Sequence, residues 1–312
     1  MSKIYFSHIP VFSKEAVEAL NVKPEGIYVD CTAGGGGHSA AIADKLTKGR
    51  LIAIDRDPDA ITVLTERFGN NPKVTVVNSN FENLSSILKE QNIEKVDGIL
   101  ADLGVSSYQL DTADRGFSFH NDAPLDMRMS KSGVTAAELV NSLDQKQLAG
   151  IISRYGEDKY AALIAKKIVE KRAQRPIETT VELAEIVKEA YPVSARRKSA
   201  SHPARKTFQA LRIEVNGELE KLENTVDTMF GSLGRGGRLV MITFHSLEDR
   251  IVKKSFAKYC SGCTCPPDFP VCVCGKEPEG RLVFKVKEPG EEELEKNPRS
   301  RSAKLRAVEK IQ

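Results

Sequence analysis

Short apolar runs alternate with stretches of helical period over the first hundred residues, and the runs are almost continuous, as in strands covered on both faces. They predict strands from Gly26 to Thr32, Leu51 to Asp55, Lys73 to Val77 and Val96 to Leu103. Helices near Ser39 to Leu46, Pro58 to Phe68 and Asn83 to Gln91 fall between them, the order of βαβ units in a parallel sheet. After Asp102 the pattern breaks into Gly, Ser, Asp and Arg, then turns helical from about Thr135 to Tyr191 with no strand signal. Thr179 with Glu182 predicts a capping box for the helix that ends near Pro192. The α/β pattern resumes with a helix from Arg205, another from Glu218 to Phe230, a Gly-Arg-Gly-Gly turn and a strand from Arg238 to Phe244. The expectation is an α/β fold whose sheet domain is discontinuous, 1–110 and 200–312, around an inserted helical domain at 111–199.

Composition narrows this little. Hydrophobic residues at 40% and charged residues at 29% of 312 are globular values. A formal charge of +3 means that any affinity for nucleic acid must come from local clusters of Lys and Arg. No apolar run approaches the roughly 20 residues that cross a bilayer, and the start lacks a signal peptide's zones, so a cytoplasmic protein is expected. Of six cysteines, Cys31 falls in a predicted strand and five crowd between Cys260 and Cys274, unlike a distributed disulfide framework.

The strongest local signal is Asp30-Cys-Thr-Ala-Gly-Gly-Gly-Gly-His38 at the end of the first predicted strand. Glycines there allow a sharp turn and close approach to a ligand, and the following helix offers free N–H groups. About 20 residues on, Asp55 ends the second strand, where a carboxylate accepts hydrogen bonds from ribose hydroxyls. An adenosine ligand is the expectation. Gly35, Gly37 and Ala40 also satisfy the dinucleotide spacing, which leaves NAD open. Charge separates the two: NAD brings an anionic pyrophosphate, S-adenosylmethionine a sulfonium and an ammonium. Asp30, and Asp102 at the end of the fourth strand, repel the first and attract the second.

Together these segments resemble the bacterial-type ribosomal RNA small-subunit methyltransferase H family, nearly end to end. The likeness rests on His8-Ile-Pro-Val, Thr32-Ala-Gly-Gly-Gly-Gly-His-Ser, Ala53-Ile-Asp-Arg-Asp-Pro, Ala101-Asp-Leu-Gly-Val-Ser-Ser, Arg115-Gly-Phe-Ser-Phe and Pro124-Leu-Asp-Met-Arg-Met. It continues through Arg205-Lys-Thr-Phe-Gln-Ala-Leu-Arg-Ile, Thr243-Phe-His-Ser-Leu-Glu-Asp and Asn297-Pro-Arg-Ser-Arg-Ser-Ala-Lys-Leu-Arg. The resemblance implies a Rossmann-like class I methyltransferase sheet with an inserted helical domain for RNA recognition. It implies methylation of N4 of a cytidine in the decoding centre of small-subunit ribosomal RNA, with S-adenosylmethionine as donor. By the same resemblance the donor contacts fall on Gly36, Gly37 and His38, on Asp55 at the ribose, on Phe81 near the adenine, and on Asp102 and Gln109 at the methionine end. Phe81 is read equally well as core packing.

For chemistry the expected residue is Asp102, because hydrogen bonds that draw on the acceptor's N–H groups favour attack by an amine whose lone pair is delocalised. Amino-methyltransferases with Asn or Asp followed by Pro-Pro and an aromatic at this place differ from the Asp102-Leu-Gly-Val found here. His245 is the rival proton acceptor, although Ser246 with Asp249 predicts a capping box beside it. Phosphate contacts are expected at Arg196, Arg197, Arg205 and Lys206, and in the tail at Arg299 and Arg301, near Lys304 and Arg306. A base must be unstacked to reach the donor, so these cations are expected to grip the backbone around an extruded cytidine. Cys260, Cys263, Cys265, Cys272 and Cys274 have spacings that suit a small zinc site, but a reduced, metal-free loop is the expectation. A non-catalytic RNA-binding assembly factor is the reading from another class.

Overall fold

A computed structural model describes residues 10–198, 202–263, 265–266, 269–271 and 273–312. His8, Ile9, Cys272 and the side chain of Lys198 lie outside the described residues.

Seven strands form one sheet in the order β3-β2-β1-β4-β5-β7-β6. They are β1 (Ile27–Asp30), β2 (Arg50–Asp55), β3 (Val74–Asn78), β4 (Val96–Asp102), β5 (Leu233–Thr243), β6 (Gly280–Lys287) and β7 (Lys304–Lys310). The first five are parallel; β7 runs antiparallel to both β5 and β6. This is the Rossmann-like mixed α/β sheet expected from the sequence. Helices α1 (Ser13–Leu20), α2 (Gly37–Ala43), α3 (Pro58–Phe68) and α4 (Leu84–Glu90) accompany its first half. Then come α5 (Ser107–Asp111), α6 (Ala136–Ser142), α7 (Gln145–Gly156), α8 (Ala161–Arg172), α9 (Thr180–Ala190), α10 (Val193–Lys198) and α11 (Ala204–Asn216). The sheet half resumes with α12 (Leu222–Ser232), α13 (Ser246–Cys260) and α14 (Glu291–Lys296).

Three of the four expected strands of the first half, β1, β2 and β4, are present because their apolar runs are buried on both faces, whereas β3 is a half-buried edge strand paired to β2. Val29, Ile52, Ile54, Ile99 and Ala101 enter one core with Leu84 and Val226, while Tyr28, Leu51 and Leu100 enter the other with Leu20 and Ile42. The Gly-Arg-Gly-Gly turn is not a strand boundary. While β4 advances from Val96 to Gly98, β5 advances from Leu233 to Arg238, so the glycine segment is a bulge inside β5.

Two compact units result: Met1–Gly104 with Leu219–Gln312, and Val105–Glu218. The expected boundaries at 110/111 and 199/200 both move, so that the helical unit is longer at each end. Helix α11 presents Ala204, Phe208 and Leu211 to the same core as Leu148, Ile152, Leu183 and Val187, which makes it a member of the helical unit and not the first element of the resumed sheet. Val105 and Leu110 pack on that core as well. In this unit Thr179 caps α9 by accepting from the Glu182 N–H, one half of the predicted capping box; the other half does not form, since the Glu182 carboxylate accepts from the Glu178 N–H at 3.0 Å. Among the described residues, no helix is long and apolar enough to cross a membrane.

Candidate active site at the carboxyl ends of the parallel strands

The registers Asp30↔Ala53, Asp30↔Leu100 and Asp55↔Asn78 bring the ends of β1, β2, β3 and β4 to one rim. In open α/β sheets this rim is where ligands bind. Between β1 and α2 the glycine loop is built to be bare. Gly36 has φ +77°, in the left-handed region, and a Cβ there would meet Phe68 Cε2 at 2.8 Å. A Cβ on Gly37 would lie 2.1 Å from Pro10 Cγ. Asp55 ties the loop to β2: Oδ2 accepts from Gly34 N–H at 2.7 Å and Oδ1 from Asp57 N–H at 2.8 Å. Each oxygen keeps lone-pair capacity for ribose hydroxyls. Arg67 on α3 donates to the Gly35 carbonyl at 2.9 Å and fixes the loop from the other side.

Several carboxylates share the region. Asp30 is 1% exposed; it accepts from Ser39 Oγ at 2.6 Å, and burial still pushes its pKa up to about 6. Asp55 is raised, chiefly by burial. Asp102 is held well above the carboxylate range, first by burial and then by the charges of Asp30, Glu248 and Glu293. Its Oδ1 is buried without a hydrogen-bond partner. Glu248 is 2% exposed and accepts from Phe244 N–H at 2.9 Å. Glu293 Oε1 accepts from Phe12 N–H at 2.7 Å, and burial raises its pKa.

His38 lies at the start of α2, 5% exposed. Its Nε2 is 3.1 Å from the Val11 carbonyl, which can only accept, so Nε2 carries the hydrogen and Nδ1 faces Asp102 Oδ2 at 3.9 Å. Pro10, Val11 and Phe12 therefore cover the loop: one fills the space beside Gly37, one receives His38 and one donates to Glu293. Phe81 opens a short 3₁₀ turn just past β3, capped by Asn80, and is half-buried against the main core. This fits the packing reading.

Other expected residues take different places. Gln109 belongs to the helical unit, where it is buried and forms a capping box with Ser106 on α5. Arg196, Arg197, Arg205 and Lys206 are exposed on α10 and at the start of α11, in that same unit. The Lys206 ammonium donates to the Glu157 carbonyl at 2.9 Å. Arg299 and Arg301 are exposed on the 3₁₀ turn Pro298–Ser302. Arg306 does not join them: it lies in β7, 9% exposed, with Nε 2.7 Å from Asp249 Oδ1 and Nη2 3.1 Å from Oδ2. Asp249 is thus the partner of Arg306 and not half of a capping box. The cap of α13 is His245, one residue earlier than the sequence suggests, with Glu248 as its reciprocal acceptor. Nδ1 of His245 accepts the Glu248 N–H at 3.4 Å, a structural use of the rival proton acceptor. Sequence reasoning gave Glu248 and Glu293 no place at the acidic rim: each comes from a segment far along the chain from the loop, and although Glu248 lies inside the block Thr243 to Asp249, nothing in that block assigns it this place.

The rim can hold a cationic ligand bearing ribose, and comparison with known proteins narrows the class. Residues 5–311 match the family described as the MraW methylase family. The chain is 53% identical over 309 residues to a ribosomal RNA small subunit methyltransferase H of Clostridium botulinum (strain Kyoto / Type A2), covering 98% of this chain and 99% of that one. It is 53% identical over 310 residues to a protein of the same name from Lachnospira eligens, covering 98% of each. With a match across nearly its whole length, the chain belongs to the MraW methylase family.

Proposed function

We propose that this protein transfers the methyl group of S-adenosylmethionine to the exocyclic N4 of a cytidine in the decoding region of small-subunit ribosomal RNA, in the cytoplasm. The observation that carries the reading is the acidic rim, and Asp102 above all: a carboxylate with one oxygen buried and unpartnered, its pKa raised first by burial and then by three neighbouring acids. Such a cluster is unfavourable alone and is relieved by a cation. A dinucleotide's pyrophosphate would meet repulsion there, whereas a sulfonium donor with an ammonium group fits. The names of the 53% identical relatives supply the substrate class.

The residues that would hold the donor are Gly36 and Gly37 beneath it, Asp55 at the ribose, Phe81 at the base, and Asp30, His38 and Asp102 at the charged end, with Gln109 added on the family likeness. Bound there, the donor supplies a methyl group already activated on sulfur. Asp102 accepts an N–H of the cytidine amine, raising electron density on N4 as the amine attacks. With its pKa raised by burial, it is also a stronger base toward the proton that the methylated nitrogen must lose. The remaining task is to align donor and acceptor and exclude water. Arg196, Arg197, Arg205, Lys206, Arg299 and Arg301 would take the phosphates around an extruded base; Lys206 keeps two ammonium protons beyond the one given to Glu157.

The test is transfer of labelled methyl to small ribosomal subunits lacking their own modification, followed by nucleoside analysis. Label in N4-methylated cytidine is expected. Failure to label either subunits or naked RNA would overturn the reading in favour of a binding factor.

A further inference from the structure

The connection between α13 and β6 carries chemistry that methyl transfer does not use. Cys263, Cys265 and Cys274 have their Sγ atoms within 4.8 Å of one another, and none is in a disulfide. Cys263 Sγ and Cys274 Sγ are 3.8 Å apart. That is far longer than an S–S bond of about 2.05 Å. Two Zn–S bonds of about 2.3 Å meeting at the tetrahedral angle separate their sulfurs by about 3.8 Å. The backbone N–H of Cys265 points to Cys263 Sγ at 3.4 Å. An N–H directed at sulfur favours the thiolate, the form a metal requires, and orients it.

None of the described residues of the segment from 261 to 279 is buried. Its large apolar side chains face water: Phe269 is 53% exposed, Val271 69% and Val273 73%. The segment's far end is tied back to α13, with Glu279 N–H on the Tyr259 carbonyl at 3.0 Å, and the described residues between carry no buried apolar side chain. Segments without a core of their own are commonly held by a metal, whose binding energy becomes folding energy. The donor set is all sulfur, soft, and so selects zinc over magnesium or calcium.

We propose that Cys263, Cys265 and Cys274 form a structural zinc site that staples the connection between α13 and β6. A fourth donor beyond these three completes the tetrahedral shell expected of a closed site. Binding displaces the thiol protons to solvent and changes no oxidation state. The site is independent of the donor-binding reading, since none of the three thiols belongs to the acidic rim.

Untagged full-length protein, purified without chelator, is expected to carry one zinc ion per chain by elemental analysis. Replacing zinc by cobalt(II) should give the intense thiolate-to-metal absorption of a sulfur-rich tetrahedral site. C263S, C265S and C274S are each expected to lower zinc occupancy at least about tenfold, whereas C31S, in the sheet core, retains it. Independently of any variant, stripping the metal from the unmodified protein should expose 261–279 to protease, and zinc should restore protection. Protein that neither contains nor takes up zinc or cobalt would overturn the proposal. So would occupancy unchanged in all three variants, or a Cys263–Cys274 disulfide in freshly purified material.

Discussion

At the ends of β1 and β4 the charges are buried, mutually repelling and fixed by the fold; on α10, the start of α11 and the turn Pro298–Ser302 they are exposed on flexible side chains. The contrast separates charge poised for chemistry from charge that only attracts. Buried acids hold unfavourable free energy until a cation relieves them, so each carries a large and specific effect. Exposed cations are screened, act additively and can be exchanged for one another at little cost to stability. Arg306 crosses the division, since it sits in a basic run of sequence but behaves as a buried group.

The largest effect is expected where Arg306→Ala is set against Arg301→Ala. Removing the bidentate partner of Asp249, which then keeps only the 3.4 Å contact to the half-exposed Lys304, should cost about 2–4 kcal/mol in denaturant unfolding, while loss of Arg301 should stay within about 0.5 kcal/mol. Equal effects would erase the distinction. Next in size, Asp102→Ala should slow single-turnover methyl transfer about 10²–10³-fold, with donor affinity measured separately; a parent rate would remove Asp102 from the chemistry.

Asp30 extends the contrast to pH. Its folded pKa of about 6 lies above the ordinary 3.8, so the stability it contributes is fully present below 3.8 and is lost as pH rises through about 6. The donor-free protein should therefore lose up to about 3 kcal/mol across that window, and a cationic donor should bind more tightly above it. Asp30→Asn is expected to flatten the stability profile near pH 6 and to weaken donor binding; an unchanged profile in urea titrations at pH 5 and 7 would assign the pH response elsewhere. Gly37→Ala forces a methyl against Pro10 and should cost about 1–3 kcal/mol, read as a lower Tm. The smallest effect belongs to the exposed set: reversing charge at Arg299 and Arg301 should lower the salt slope of RNA binding by about one unit for each phosphate left unneutralised, with donor affinity unchanged.

What could be read from sequence follows the same division. Strands β1, β2 and β4 are legible because burial on both faces writes a continuous apolar run, β3 because its β-branched Val-Thr-Val-Val favours a strand even half-buried at the edge, and Asp30, Asp55 and Asp102 are legible because they terminate runs. Strands β6 and β7 are not. In β6, Arg281, Lys285 and Lys287 interrupt the apolar residues, as edge strands do. In β7 the tail's arginine has its partner in Asp249, 57 residues away, so a core strand reads as a basic tail. The one-residue displacement of the α13 cap arises because His245 is an uncommon capping residue beside a common one, Ser246. Glu248 and Glu293 reach the rim only through tertiary packing, which no spacing rule encodes.

Strand β7 follows β6 in the chain, yet it lies between β5 and β6. Throughout translation, until Lys304–Lys310 has left the ribosome, β5 presents an open hydrogen-bonding edge and β6 has no neighbour to pair with among the described strands. A chain stalled or clipped before that point exposes a sticky edge that invites aggregation or proteolysis. Emergence of β7 and closure of the sheet thus become one event, and copies that stop short of it carry a visible mark for cellular quality control.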